Sequence, residues 1–399
     1  MPPPEAAPAS TASARWLTAL IIGQLGLHSA MAGLRLAAPL QTLREGYSAW
    51  SVGLLLALFA AAPVLIALHS GRLADRYGYH RPVALACALS IAGMAAAVAA
   101  TFVAGAWHFA LLCIAAAGTG AGANIGMLAI QRTAGTEARD ATERVRIFSW
   151  LGVAPSLSNV IGPVAVGILI DVGGFLWAYV FLLLLPLATV VTARLIPRRP
   201  APAAAPADPD RRAWELLQAP GMKRLLVVNW LLSTSWDVHS FAVPILGHER
   251  GFSATTIGLI LGAFTASVTL VRVALPWIAH RLREGVVIRA AMLGTAAVFV
   301  IYPLASSAWL MIVCALFLGV ALGAVQPMIM NTLHHLTPDN RHGEALAFRS
   351  MAINGSSTVM PLLFGVAGSA VGAGALFWLV GGAVGAGSWL ARRLEVIRT

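Results

Sequence analysis

Gly71-Arg72-Leu73-Ala74-Asp75-Arg76-Tyr77-Gly78-Tyr79-His80-Arg81 decides how the rest of this chain is read. It is a short charged stretch set between two long apolar runs. Gly71 and Gly78 allow tight backbone turns. Asp75 can meet the N-terminal dipole of a following helix, and the arginines suit the cytoplasmic face of a membrane. A stretch of this kind can also be no more than a helix connector, so its surroundings decide.

Working outward, the composition is that of a membrane protein. Of 399 residues, 58% are hydrophobic and 11% charged, against roughly a quarter charged in soluble domains. The apolar residues gather into runs of roughly 20, the length that crosses the hydrocarbon core as helix. The chain therefore reads as an all-α polytopic membrane protein. The three cysteines, Cys87, Cys113 and Cys314, lie inside apolar runs and read as small buried thiols, with neither metal spacing nor a disulfide framework.

Twelve spans are expected, at about 16–40, 51–70, 82–104, 106–130, 145–170, 174–196, 225–246, 253–278, 286–306, 308–333, 344–367 and 371–390. Residues 1–14 read as a disordered tail rather than a signal peptide. The domains that follow are a six-helix bundle over 15–196, a Pro/Ala-rich linker over 197–222, a second six-helix bundle over 223–391 and a tail over 392–399. With both termini cytoplasmic, all but four of the 27 Lys and Arg fall on cytoplasmic segments and their flanks; Arg44 and Arg250 lie outside, and Arg35 and Arg272 within spans. That asymmetry follows the positive-inside rule. It accounts for the net charge of +11 with no nucleic-acid partner.

The halves repeat. Gly46–Phe59 aligns without gaps on Gly251–Phe264 at an offset of 205, and Pro163–Gly167 aligns on Pro361–Gly365 at an offset of 198. The first-half pattern G-x-L-A-D-R-x-G (Gly71, Asp75, Arg76, Gly78, with Arg81 closing it) resembles the loop between the second and third helices of the major facilitator superfamily. The second-half copy is degraded: Pro276 and His280 stand at the glycine and aspartate positions. The resemblance implies two pseudo-symmetric six-helix bundles, alternating access and a gating role for the first-half loop. Gly162, Pro163 and Gly167 are similar to the glycine-proline motif of helix 5 in the drug/proton antiporter branch, although Ser158 and Val166 replace two glycines, and Ile114 stands where that branch carries an arginine in helix 4.

Polar groups inside spans are costly, so each one marks a candidate. Asp237 is the one acid well inside an expected span, among Ser233, Thr234, Ser235, Trp236, His239 and Ser240. It reads as a proton-coupling carboxyl or a counter-charge to substrate, with a structural ion pair as the plainer alternative. Arg35 is its expected partner, since the 205 offset carries Arg35 onto Ser240, one turn from Asp237. Gln24 and His28, four residues apart on one face, Asn124, Trp236, His239, Arg272 and Arg349 complete the candidate cavity. Packing, snorkelling or gate-capping roles stand beside each. Gly118–Gly122 lies within an apolar helix and reads as close packing, not a nucleotide loop.

The expected function is secondary active transport across the inner (plasma) membrane. It is proton-coupled export of a small organic or amphipathic compound, drug-like or a secreted metabolite such as a siderophore. Uptake of a small organic anion and a transporter-like receptor without flux are the alternatives. No enzymatic activity, cofactor or metal is expected; the proton gradient is the driving force. The partners are a small-molecule substrate and the lipid bilayer, and the family resemblance implies a monomer.

Overall fold

The structure, a computed structural model, describes residues 11–137, 141–197, 213–278, 283–337 and 342–395. The helices are α1 (Thr11–Arg44), α2 (Ala49–Tyr77), α3 (His80–Ala100), α4 (Gly105–Glu137), α5 (Ala141–Ala193), α6 (Met222–Glu249), α7 (Ala254–Ile278), α8 (Glu284–Ile301), α9 (Ala308–Gly323), α10 (Val325–Leu336), α11 (His342–Val371) and α12 (Ala373–Glu395). The described residues are consistent with twelve passes, because α5 holds two and α9 with α10 makes one. In α5 the break is Gly174, whose φ of 80° lies in the left-handed region that glycine alone enters without strain. Nine stretches among the described residues are long and apolar enough to cross a bilayer. α6 falls outside that set because it carries Asn229, Ser233, Thr234, Ser235, Asp237, His239 and Ser240 on 28 residues. A helix that hydropathy does not mark as a span is thus the one that carries the polar site.

Helix ends differ from the sequence expectation in both directions: most helices run longer, whereas α3 stops at Ala100 and α8 at Ile301, short of the expected 104 and 306. α1 begins at Thr11 and ends at Arg44, α4 continues to Glu137, and α12 continues to Glu395, past the expected bundle boundary at 391. Charged residues at the ends extend each helix beyond its apolar run, and hydropathy reports only the run. The same applies to the opening stretch. Residues 71–77 are the last turns of α2, not a loop; the chain turns at Gly78, with φ of 66°. The side chains of Gly71–Arg76, the gating candidates Asp75 and Arg76 among them, lie outside the described residues. Arg81 is exposed and stacks its guanidinium 4.2 Å over the Tyr77 ring.

Both described ends of the chain lie at one end of the bundle, here the terminal end; the turns at 45–48, 171–174 and 250–253 lie at the far end. Contacts between the halves cluster toward the far end, where α2 packs on α11 and α5 packs on α7. Both pairings depend on glycine. A Cβ on Gly53 would lie 2.3 Å from the Pro361 carbonyl oxygen, and one on Gly167 would lie 2.5 Å from that of Ala254. No side chain fits such gaps, so the backbones touch directly. Asp171, at the far-end turn, adds a polar contact: its carboxylate accepts from the backbone N–H groups of Ala254 (3.0 Å) and Thr255 (2.7 Å) at the start of α7. A carboxylate there meets unpaired N–H donors and the positive end of the helix dipole. The far end is therefore closed.

Candidate functional site

On the terminal side of this closure lies a cavity of about 290 Å³ between the halves. The first half contributes Arg35 from α1 with Ser156 and Asn159 from α5. The second half contributes Asn229, Ser233, Trp236 and Asp237 from α6. Positions 229, 233, 236 and 237 fall three, four and seven or eight apart, so one face of α6 carries all four. By the same period α7 presents Thr265, Val268 and Arg272, while Gln326 and Ser357 close the wall from α10 and α11. A smaller cavity of about 50 Å³ shares Arg35, Asn159, Trp236 and Thr265 and adds Pro163 and Phe264. Those four shared side chains form the partition between the two spaces.

Asp237 is 7% exposed. Its oxygens accept from the Ser356 hydroxyl at 3.3 Å and from the Ser357 hydroxyl at 3.3 and 3.5 Å. Ser356 also pairs with the Thr234 hydroxyl at 3.3 Å, tying α6 to α11 behind the carboxylate. Arg35 faces Asp237 across the cavity, close enough for the charges to act on one another. They are not in ion-pair contact within 4 Å. The expected direct pair is thus replaced by a carboxylate held by two hydroxyls and an arginine standing off it. The offset repeat located the facing helices correctly, but side-chain reach and the two serines decide the contact.

Other candidates separate. Trp236 lines both cavities and packs edge-on to Phe264 at 4.6 Å. Arg272 is in the wall. Arg349 sits behind it, donating to Gln326. Gln24, His28 and Asn124 are not among the cavity walls: Gln24 is buried in α1 with its Oε1 unpaired. His239 turns away from the cavity. It is fully buried, its Nε2 lies 3.0 Å from the Tyr302 hydroxyl, and its ring packs on Phe264. Two residues beyond Asp237 is about 200° around a helix, so adjacency in sequence put His239 on the wrong face. Asn159, Asn229, Thr265 and Gln326 are cavity residues that sequence reasoning passed over. Each is a polar residue inside an apolar run, the signal that singled out Asp237.

The glycine-proline stretch works at two contacts. Gly162 packs on the Ser29 and Gly33 backbone of α1, while Pro163 and Gly167 face α7 across the halves. Within Gly118–Gly122, Gly120 lies against the Phe59 carbonyl and Gly122 against Ser90 and the Ala86 carbonyl, so the run is a packing surface. Among the described residues no three His, Cys, Asp or Glu side chains gather as a metal site.

The chain matches the family described as Major Facilitator Superfamily over residues 20–225 and 225–397. It is 26% identical over 385 residues to the enterobactin exporter EntS of Salmonella typhi, covering 90% of this chain and 82% of the relative. It is 25% identical over 379 residues to the enterobactin exporter EntS of Escherichia coli O1:K1 / APEC, with the same coverage. Among solved structures it is similar to a bacterial homologue of the iron transporter ferroportin in the inward-facing state (TM-score 0.74, 18% identity, 96% of this chain and 99% of that one). A POT family transporter in complex with 5-aminolevulinic acid is also similar (TM-score 0.75, 12% identity, 96% of each chain). With both halves matched, this chain belongs to the Major Facilitator Superfamily, a multi-pass membrane transporter and not an enzyme.

Proposed function

We propose that the protein exports a small organic compound from the cytoplasm by proton-coupled alternating access, with Asp237 as the coupling carboxyl. The observation that carries this reading is a single buried carboxylate in the wall of a cavity shared by the two halves, on the open side of a closed far end. The terminal end is assigned to the cytoplasm by the distribution of basic residues, which makes the described state inward-facing. Export is supported by the relatives at 25–26% identity, which are enterobactin exporters; a secreted siderophore-like metabolite is the substrate type that follows. A proton on Asp237 removes the counter-charge facing Arg35, and so changes the force between α1 and α6, one in each half. The proposed unit is a monomer in the inner membrane, driven by the proton gradient without a cofactor.

The test is transport into inverted membrane vesicles, with and without an imposed pH gradient. The panel spans drug-like cations and catechol-type metabolites. Gradient-driven accumulation that Asp237→Asn abolishes is expected. Accumulation only in right-side-out vesicles makes the protein an importer. Transport unchanged in Asp237→Asn returns Asp237 to a structural role, and binding without flux makes the chain a receptor.

A further inference from the structure

Arg272 is the charged group of the cavity that the export reading leaves unused. It lines the wall from α7, seven residues beyond Thr265 on the same face. Its Nε is buried without a hydrogen-bond partner, and none of its atoms forms an ion pair or hydrogen bond with a described residue. Arg35, lining the same cavity from the other half, likewise forms no hydrogen bond or ion pair with a described residue. The other two charges near the cavity are held: Arg349 donates to Gln326, and the Asp237 oxygens accept from Ser356 and Ser357.

An arginine carried to this depth without a partner is costly, and the cost persists unless something supplies a counter-charge. The cavity has two such cations and one carboxylate, so its walls carry a net positive charge with Asp237 ionised. A planar guanidinium is matched by a planar anion such as a carboxylate, which it can engage with paired N–H donors. Trp236 offers a flat apolar surface in the same wall.

Building on the reading of this cavity as the transport site, we infer that its substrate is an organic anion with an aromatic or apolar body, its charged group seated between Arg35 and Arg272. The two arginines come from different halves. Both line the cavity between the halves, whose walls must approach when the terminal end closes. An anion that engages both guanidiniums bridges the two halves. It binds the closing conformation better than the open one, the differential affinity that a substrate needs to drive the change. The two arginines thus select charge and also couple binding to closure.

The test uses the purified full chain and three probes of one shape and different charge: 2-naphthoate, 2-naphthamide and 2-naphthylmethylammonium, titrated by calorimetry. The expected result is 2-naphthoate binding at least tenfold tighter than either of the others. Arg272→Gln is expected to weaken it at least tenfold, and Arg272→Lys by much less. Asp237→Asn, which removes a negative charge and keeps both arginines, is expected to bind 2-naphthoate as tightly or tighter. Arg194→Gln, at an exposed arginine outside the cavity, is the control. Equal binding of the three probes, preference for the cation, or no binding of the anion overturns the inference. The charge series on the unaltered protein decides the matter even where Arg272→Gln fails to fold. Anion binding with no flux in vesicles would keep the inference and sink the transport reading; gradient-driven flux restricted to cations would do the reverse.

Discussion

Gly258 of the second half and Pro163 of the first are in backbone contact: a Cβ on Gly258 would lie 2.4 Å from the Pro163 carbonyl oxygen. Gly53 and Pro361 make the same contact at 2.3 Å. Gly53 corresponds to Gly258 at the offset of 205, and Pro163 to Pro361 at 198, so the internal repeat reappears as two symmetry-related seals. Gly258→Val and Gly53→Val are expected to wedge the far end open at a cost of about 1–3 kcal/mol to the closed state. Spin-label distances across the far end should lengthen in both. Gly152→Val, where no neighbouring atom lies within 4 Å, should leave them unchanged.

The two seals differ in one feature. Asp171 binds the start of α7, supported by Arg44 at 4.0 Å, whose guanidinium also lies 5.3 Å from the Phe175 ring centre. The offset of 198 places Ser369 at the matching position, and its hydroxyl bonds the Val366 carbonyl of its own helix instead. Among the described residues, only the α5–α7 side is latched by charge. Asp171→Asn should loosen that side by about 1 kcal/mol, a modest figure because water screens an exposed carboxylate. The expected readout is a roughly fivefold rise in modification of an engineered cysteine at the α5–α7 seam. Ser369→Ala should have no effect.

Ser356 and Ser357 hold the carboxylate of Asp237 off Arg35. Replacing both with Ala frees Asp237 to move toward Arg35 and leaves it without its hydroxyl donors. Gradient-driven flux in the double variant is expected to fall about tenfold, which is roughly 1.4 kcal/mol of lost positioning. Ser357→Thr, which keeps the hydroxyl, should retain most of the flux. An equal loss in both variants would mean that the space near Asp237, not the hydrogen bonds, matters.

His239 belongs to the packing of the second half. Tyr302→Phe removes the partner of its buried Nε2, and leaving a buried polar atom unpaired costs about 1–3 kcal/mol. The variant should unfold at lower temperature, measured by thermal scanning in detergent. Flux per folded molecule should stay near the wild-type level, since the pair lies outside the cavity.

Residue order alone determined that this chain crosses a membrane many times, that its halves repeat, and that Asp237 is an anomaly needing an explanation. These properties are legible because runs of apolar residues, glycine–proline spacing and a stray acid are local facts, each with its own free-energy consequence in hydrocarbon. Only tertiary structure decided which polar groups meet. His239 is two residues from Asp237 yet faces Tyr302, whereas Ser357 is 120 residues away and holds the carboxylate. The same holds for Asn159, Gln326 and the two cavity arginines, Arg35 and Arg272. Their role depends on the rotation of each helix about its axis and on the approach of two bundles, set by packing over the whole interface. No residue encodes that by itself, so the helices could be read from the sequence and the site only from their assembly.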